Sequence, residues 1–591
     1  MSRFLLCWHR DGDPLHESLR RKVEAIARPR GTAAARRLDR SDVVAWHWQS
    51  AWAPGSEESL PLECEGWTGS GVLRLDDRAA LVAKLRDAGS RGPEDDATLA
   101  WRSLRVWGAH AARHWLGDYA VAAVTANRER MVVARGVTGV RSCFHTTVRG
   151  VECVSDDLAL LAALGRSDRR PVERAVGEFL RLGYLATPTL TFHEGVTRIP
   201  AAHTLVVERD GRRRLERHWA LPAPETRHGL GESAVIEEFH DVVGTAISDR
   251  LRAPAATLLL SGGLDSPALA VEAQRACPHV ALRGVTASWA RLLGDDEARF
   301  ARMAAAAAGI AHEVWEHAPD DGLAADAAFM SPEPLPDSEP RLWRAQAARL
   351  AALAPVSLLG EDVDALLAPL PLLAQLRHDG VARTVSAWRE HRARTGERPW
   401  IGARRSLAAI ERWRDRRPAR SPRWLRPGLF ASRALTEVGG ESEHPTRALA
   451  ARALRRPIWD ATCWLDDPRM SGAEVTVLLP FMDPRVIRFC FSLPSVPWLQ
   501  RKHLLRRAMR GFLPTELLER PKSPLVGYAA ARVRVWRELG AAAPLPAAVD
   551  SWVDLESWRA ALASSDADET VAAWRVLELS RWLAQPAVRV P

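Results

Sequence analysis

The chain has 591 residues, 47% of them hydrophobic, which is enough to bury substantial cores and predicts two domains. Its net charge of +9 suits an acidic partner or an arginine-biased composition equally well, and no apolar run reaches the roughly 18 residues of a membrane helix. The seven cysteines are scattered and lack paired metal spacing, and Met1-Ser2-Arg3-Phe4 leads quickly into His9-Arg10-Asp11, so a disulfide scaffold, structural zinc and a signal peptide are excluded and a cytoplasmic protein with reduced thiols is expected.

In chain order, the first informative segments are Trp115-Leu116-Gly117-Asp118-Tyr119-Ala120-Val121, the stretch from Val151 to Leu164, and Glu178 to Tyr184. Thr191 to Val196 and Arg198 to His203 follow, and Pro222-Ala223-Pro224-Glu225 begins a polar linker that reaches Glu232. The predicted organisation is residues 1–222, a linker 223–232, and a second domain 233–591.

The second domain opens on an apolar run, Leu258 to Leu260, followed by Ser261-Gly262-Gly263-Leu264-Asp265-Ser266 and then Pro267-Ala268-Leu269-Ala270. The pattern predicts a strand, a phosphate-sized loop and a helix N-terminus, with Ser266 capping the helix and Pro267 in its first position. Two glycines let the backbone approach an anion closely. Asp265 would repel a phosphate unless Mg²⁺ lay between them, so the loop is expected to hold a metal-bridged pyrophosphate and to cleave ATP to AMP and pyrophosphate. It resembles the PP-loop of the ATP pyrophosphatase superfamily.

Further strands are predicted over His279 to Thr286, His312 to Trp315 and Pro355 to Leu359, with a helix across Glu297 to Ala308. This alternation predicts a doubly wound parallel sheet with ligands at the strands' C-terminal edge. Past it, Gly360-Glu361-Asp362-Val363-Asp364 places a second acidic loop after a buried strand, and hard oxygen ligands are what Mg²⁺ prefers. Asp364 is the expected partner of Asp265. From Arg377 to Arg433 arginines interleave with tryptophans, a pattern that suits single-stranded nucleic acid, a docking surface for a peptide or protein, or amphipathic helices with tryptophans packed inward. The remainder, rich in Leu, Ala, Arg and Trp, reads as helical.

Of 82 basic residues only Lys22, Lys84, Lys502 and Lys522 are lysine. A chain that uses arginine wherever charge alone suffices keeps lysine where a compact ammonium is required. Two of the four fall in one stretch: Lys502-His503-Leu504-Leu505-Arg506, then Leu513-Pro514, then Arg520-Pro521-Lys522.

That stretch resembles the C-terminal signature of the asparagine synthetase family. Asp295-Asp296-Glu297, Glu333-Pro334-Leu335-Pro336-Asp337-Ser338 and Leu479-Pro480-Phe481-Met482-Asp483-Pro484 resemble its other landmarks in order. In the second acidic loop Gly360, Glu361 and Asp364 match the family pattern, whereas Asp362 replaces a glycine and Ala365 an acidic residue. The resemblance implies an N-terminal-nucleophile-type αββα sandwich followed by a PP-loop synthetase domain with helical additions. It implies Lys522, Glu361 and Lys502 as catalytic residues, Ser261 to Ser266 and Gly360 as the ATP site, and Asp265 and Asp364 as Mg²⁺ ligands. The family's glutaminase needs an N-terminal cysteine, and this chain begins Met1-Ser2-Arg3, with Cys7 lacking a free amine. Its glutamine-binding Asn-Gly-Glu segment is also missing, so a silent glutaminase domain kept as scaffold is expected, with Ser2 the one remaining nucleophile.

Relatives without that nucleophile close rings with a substrate's own amine. The β-lactam-forming ones require a tyrosine between the phosphate loop and the terminal lysine, and none of Tyr119, Tyr184 and Tyr528 lies there. The resemblance therefore favours the macrolactam synthetases of lasso peptides, which implies a peptide substrate delivered by a protease or leader-binding partner. An asparagine synthetase using ammonia or glutamine is the alternative, with a silent scaffold and a nucleic-acid-modifying PP-loop enzyme behind it.

Overall fold

The computed structural model describes residues 3–26, 35–49, 60–165, 170–222, 225–288, 296–316, 330–335, 340–399, 421–426, 444, 447, 450–451, 454, 468–520 and 545–585. Among these, the first part of the chain forms two antiparallel sheets. One contains β1 (Arg3–His9), β2 (Ala35–Asp39), β3 (Val43–Trp48), β8 (Phe144–Val148), β9 (Val151–Ser155) and β10 (Val196–Arg198), in the order β10-β8-β9-β1-β3-β2. The other contains β4 (Leu62–Cys64), β5 (Trp67–Asp76), β6 (Leu116–Thr125), β7 (Arg130–Arg135), β11 (His203–Glu208) and β12 (Arg213–Arg217), in the order β12-β11-β7-β6-β5-β4.

Period-two alternation explains how the sheets stack. Phe4, Leu6 and Trp8 of β1 face Ala120, Ala122 and Val124 of β6 across the inner core. Leu5 and Cys7 turn the other way, toward Leu19 and Val23 of the helix Glu17–Ile26 and Leu161 of the helix Leu158–Leu164. Tyr119, Val121 and Ala123 pack on the helices Arg78–Asp87 and Asp96–Trp107. The result is four layers, helices outside and two sheets inside. Along β1 and most of β6 both faces are apolar and buried, and each fully buried Leu or Phe contributes about 1.5–3 kcal/mol.

The second part is built on five parallel strands: β13 (Ala255–Leu259), β14 (Ala281–Ser288), β15 (Ala311–Glu316), β16 (Val356–Leu358) and β17 (Thr476–Leu478). Their order is β15-β14-β13-β16-β17, so the winding reverses between β13 and β16. The helices Glu232–Arg250, Asp265–Ala276 and Glu297–Ala308 share the largest core with this sheet, while Leu350 of the helix Pro340–Leu353 packs beside Val285 and Val475 in a separate cluster. β17 lies in sequence read above as helical. Its Val475-Thr476-Val477 run is β-branched, and pairing with β16 decides the outcome.

A buried ionic lattice joins the two parts. Arg74 and Asp76 of β5 and Asp118 of β6 meet Arg250 from the end of the helix Glu232–Arg250 and Asp483, which caps the helix Pro484–Ser492. Arg74 lies 2.9 Å from Asp76 and 2.8 Å from Asp118, Arg250 lies 3.1 Å from Asp76 and pairs with Asp483, and Arg485 lies 2.8 Å from Asp483. Burial opposes ionisation of Asp483, and Arg250 and then Arg485 overcome it, holding the carboxyl well below the usual range. Alongside, Arg252 lies 2.8 Å from Asp96.

A second contact is apolar. The helices Leu555–Leu562 and Ala567–Ala584 bring Trp558 and Trp574 against Phe179 of the helix Glu173–Leu182. Trp424, from the Arg/Trp-rich stretch, is 1% exposed in this cluster, so at that position the tryptophan packs inward. About half of that stretch, including Arg404, Arg412 and Arg433, lies outside the described residues.

Candidate active site

The crevice opens where the winding reverses, because the loops leaving β13 and β16 diverge there from adjacent parallel strands. The first loop, Ser261 to Leu264, is tied to itself: the Ser261 amide donates to Ser266 Oγ at 2.7 Å, the two hydroxyls lie 2.9 Å apart, and the Gly263 amide donates to Ser261 Oγ at 3.2 Å. The helix begins at Asp265 with Leu264 in the cap position, two residues earlier than the sequence suggested. Ser266 therefore closes the loop instead of capping the helix. Asp265 stands in the helix's first turn, where its carboxylate is favoured by the dipole.

Gly262 is walled in. A Cβ there would lie 2.9 Å from both the Glu297 carbonyl and a Glu297 carboxylate oxygen, and would collide with Arg520. Arg520 donates to the Gly262 carbonyl, pairs with Glu297 at 3.1 Å and stacks over Phe300 at 4.2 Å. These three residues hold the loop from behind. Sequence reasoning noted Arg520 and Glu297 only as parts of longer motifs, because nothing local in either segment announces that they meet.

The second loop follows β16. A Cβ on Gly360 would lie 3.3 Å from the Ser266 amide nitrogen and 3.4 Å from the Asp265 carbonyl carbon, a tight approach that favours a residue without one where this loop rests against the first. Asp362 replaces the family's glycine at φ 67°, the left-handed region that glycine enters freely and that Asp tolerates better than most side chains. Glu361 is exposed to solvent yet ringed by protein, and that surrounding mass, followed by Asp265, raises its carboxyl above the ordinary range.

Lys502 joins the two loops. Its Nζ lies 2.6 Å from both carboxylate oxygens of Asp265 and 2.8 Å from Asp364 Oδ1. Arg501 and Lys502 occupy consecutive left-handed positions, at φ 48° and 58°, and this uncommon backbone aims the lysine into the crevice. The structure thus brings Asp265, Asp364 and Lys502 together, with Gly360 beside them. Lys522 lies outside the described residues.

Among the described residues no group of three or more His, Cys, Asp and Glu forms a metal cage. Two carboxylates on facing loops nevertheless fit Mg²⁺, which commonly takes one or two protein carboxylates and completes its shell with waters and substrate phosphates. The cavity is about 2490 Å³, beyond the roughly 300–1,000 Å³ of a typical small-molecule site. It runs from the Ser261–Leu264 loop past Lys502, His503 and Arg506 to Arg383 and His391 on the helix Leu372–Thr395.

In the N-terminal sandwich Cys7 sits in the middle of β1, 1% exposed, opposite Val44 of β3 and Cys153 of β9. Its sulfur lies 3.5 Å from that of Cys153 with no disulfide. Met1 and Ser2 lie outside the described residues. No helix among the described residues is long and apolar enough to cross a membrane.

The Asparagine synthase family profile matches residues 238–584, and a Glutamine amidotransferase domain profile matches residues 79–219. Amidase chyE of Penicillium rubens is 24% identical over 178 residues, 30% of this chain and 26% of the amidase. Asparagine synthetase [glutamine-hydrolyzing] 3 of Bacillus subtilis is 22% identical over 464 residues, 73% of this chain and 70% of that protein. A solved glutamine phosphoribosylpyrophosphate amidotransferase from B. subtilis aligns over 60% of this chain and 74% of its own, at TM-score 0.26 and 12% identity. The chain spans between a quarter and a third of the length of the two amidases it matches first, 26% and 29%. With more than half of its length, residues 238–584, covered by one profile, the chain belongs to the asparagine synthase family.

Proposed function

We propose that the protein is an ATP-dependent carbon–nitrogen ligase that adenylates a carboxylate, releases pyrophosphate, and joins the activated acyl group to an amine, closing a macrolactam in a ribosomal peptide of the lasso type. One observation carries the reading: Lys502 spans Asp265 and Asp364 on facing loops beside a glycine-rich turn. A compact cluster of one ammonium and two carboxylates against backbone amides suits a magnesium-bridged polyphosphate. On this reading residues 1–222 are a silent glutaminase-like sandwich, 223–232 a linker and 233–591 the synthetase domain.

The substrate carboxylate attacks the α-phosphorus of ATP, and the bond to the β-phosphate breaks. Ser261, Gly262 and Gly263 present the loop backbone to the phosphates, with Leu264 and Ser266 fixing its ends. Asp265 and Asp364 would hold a Mg²⁺ ion, which would supply neutralising charge for the departing pyrophosphate. Lys502 adds positive charge at that end. In the second step the amine attacks the acyl carbon and AMP leaves. Lys522 stabilises the oxyanion, and Glu361, with its raised affinity for a proton, accepts the one that the amine loses.

Two features support a tethered amine. Cys7, buried within β1, has no free α-amine to act as an N-terminal nucleophile. The cavity also has room beyond a nucleotide for a folded peptide. An amine on the same molecule replaces external ammonia through effective concentration alone. The likeness to a glutamine-hydrolysing asparagine synthetase favours the second reading, amidation of aspartate.

The deciding experiment supplies ATP and Mg²⁺ with either a candidate precursor peptide or aspartate plus ammonium, and reads products by mass spectrometry. A peptide lighter by one water supports ring closure. Efficient formation of free asparagine, or glutamate release from glutamine, overturns it in favour of the second reading.

A further inference from the structure

The ammonium of Lys502 occupies the point between Asp265 and Asp364 at 2.6–2.8 Å, and Mg²⁺ bound by the same oxygens would sit about 2.0–2.1 Å from each. One point cannot hold both cations. Building on the reading of this crevice as a magnesium-nucleotide site, we infer that Lys502 is an internal counter-ion that excludes divalent metal from the two carboxylates and yields the position only when a polyphosphate accepts its ammonium. The site would then load metal and nucleotide together, and would bind free metal poorly.

Three observations converge on this exchange. Lys502 is one of four lysines in a chain with 82 basic residues, and a guanidinium is too broad to fit between two carboxylates brought this close. None of the three side chains is fully buried, Lys502 at 19%, Asp265 at 23% and Asp364 at 56% exposure, so water can hydrate the carboxylates in part when the ammonium leaves. The left-handed backbone at Arg501 and Lys502 is an uncommon conformation in the segment that carries the ammonium. Around the ammonium's path, Arg506 and Arg520 line the same cavity and Arg501 pairs with Glu397, so a phosphate, not a further carboxylate, is the fitting acceptor.

The test uses Mn²⁺ alone as the probe, followed by electron paramagnetic resonance on the full-length chain without nucleotide. Wild type is expected to bind it weakly. Lys502→Met should tighten binding by at least about tenfold, equivalent to about 1.4 kcal/mol. Lys502→Met/Asp364→Asn should lose that gain, because it removes one of the two carboxylates. Lys502→Arg, whose guanidinium is too broad to enter the gap, should bind Mn²⁺ more tightly than wild type but less tightly than Lys502→Met, and circular dichroism on each variant checks that it folds. Equal Mn²⁺ affinity in wild type and Lys502→Met would overturn the inference, as would tight binding that survives Asp364→Asn. These readouts are independent of turnover: an enzyme that made no amide yet showed this Mn²⁺ pattern would defeat the proposed reaction and leave the counter-ion role standing.

Discussion

The protein contains two clusters of alternating acids and bases that look alike as lists of ion pairs and differ in every physical respect. At the seam, Arg74, Asp76, Asp118, Arg250 and Asp483 have side chains no more than 7% exposed, and each acid meets at least one guanidinium. In the crevice, Lys502 bridges two carboxylates of which one is 56% exposed, on a backbone held in the left-handed region. Burial makes the first set permanent, because no member can leave without abandoning a charge in low dielectric. Exposure makes the second exchangeable. The comparison separates ion pairs that hold a fold from ion pairs poised to take a ligand.

The largest effect is expected at the seam. Asp483→Ala leaves Arg250 and Arg485 without their shared carboxylate and should cost about 3–5 kcal/mol of stability. Urea unfolding would show it, and a loss under about 1 kcal/mol would mean that the lattice is no more structural than a surface pair. In the crevice the effects reverse. Asp265→Ala and Asp364→Ala should each lower ATP–pyrophosphate exchange by at least about a hundredfold, or about 2.7 kcal/mol, while the urea midpoint stays near wild type. Exchange at wild-type rate in either variant removes that residue from the reaction.

Lys522→Arg sharpens the distinction between charge and shape. A planar fork should not replace a point-like ammonium, so activity should fall more than about tenfold, nearly as far as in Lys522→Ala. If Lys522→Arg keeps most of its activity, lysine retention in an arginine-biased chain carries no functional signal.

The phosphate loop, the second acidic loop and the alternation of strand and helix around them were legible because each is a local pattern. Leu258 to Leu260, the two glycines and Asp265 fall within a few residues of one another. Lys502 was noticed by rarity, and its contact with Asp265 was not, because the partners are 237 residues apart. Ser266 was misread as a helix cap for a local reason too: Ser followed by Pro reads as a cap, but here its hydroxyl is drawn back to the Ser261 amide. The seam was invisible for the same reason as Lys502. Arg250, Asp483 and Arg74 belong to three distant segments, and an arginine at the end of an amphipathic helix ordinarily faces water. Strand β17 was lost because three residues paired with β16 carry too little pattern to outweigh the helical composition around them.

A smaller effect tests whether the sandwich is as sealed as its core suggests. His47 is fully buried on β3, and burial first, Arg36 second, hold its pKa down at about 4 against an ordinary 6.5. As pH falls through 6.5 the unfolded chain takes up a proton that the folded chain refuses until about pH 4, so stability should drop across that window. Between pH 7 and 6 this single group accounts for about 0.7 kcal/mol. His47→Asn should flatten the urea profile by that amount, and an unchanged slope would place the acid sensitivity elsewhere.

On the proposed reaction, a metal-bridged pyrophosphate between Asp265 and Asp364 means that ATP is cleaved at the α-phosphorus. Phosphorus-31 nuclear magnetic resonance of ATP, Mg²⁺ and a competent carboxylate with the wild-type protein should show AMP and pyrophosphate appearing together, in amounts matched by the amide formed. Glutamine should remain intact in the same tube. Formation of ADP and inorganic phosphate would contradict the account, and so would turnover in which Asp265→Ala and Asp364→Ala release AMP as fast as wild type.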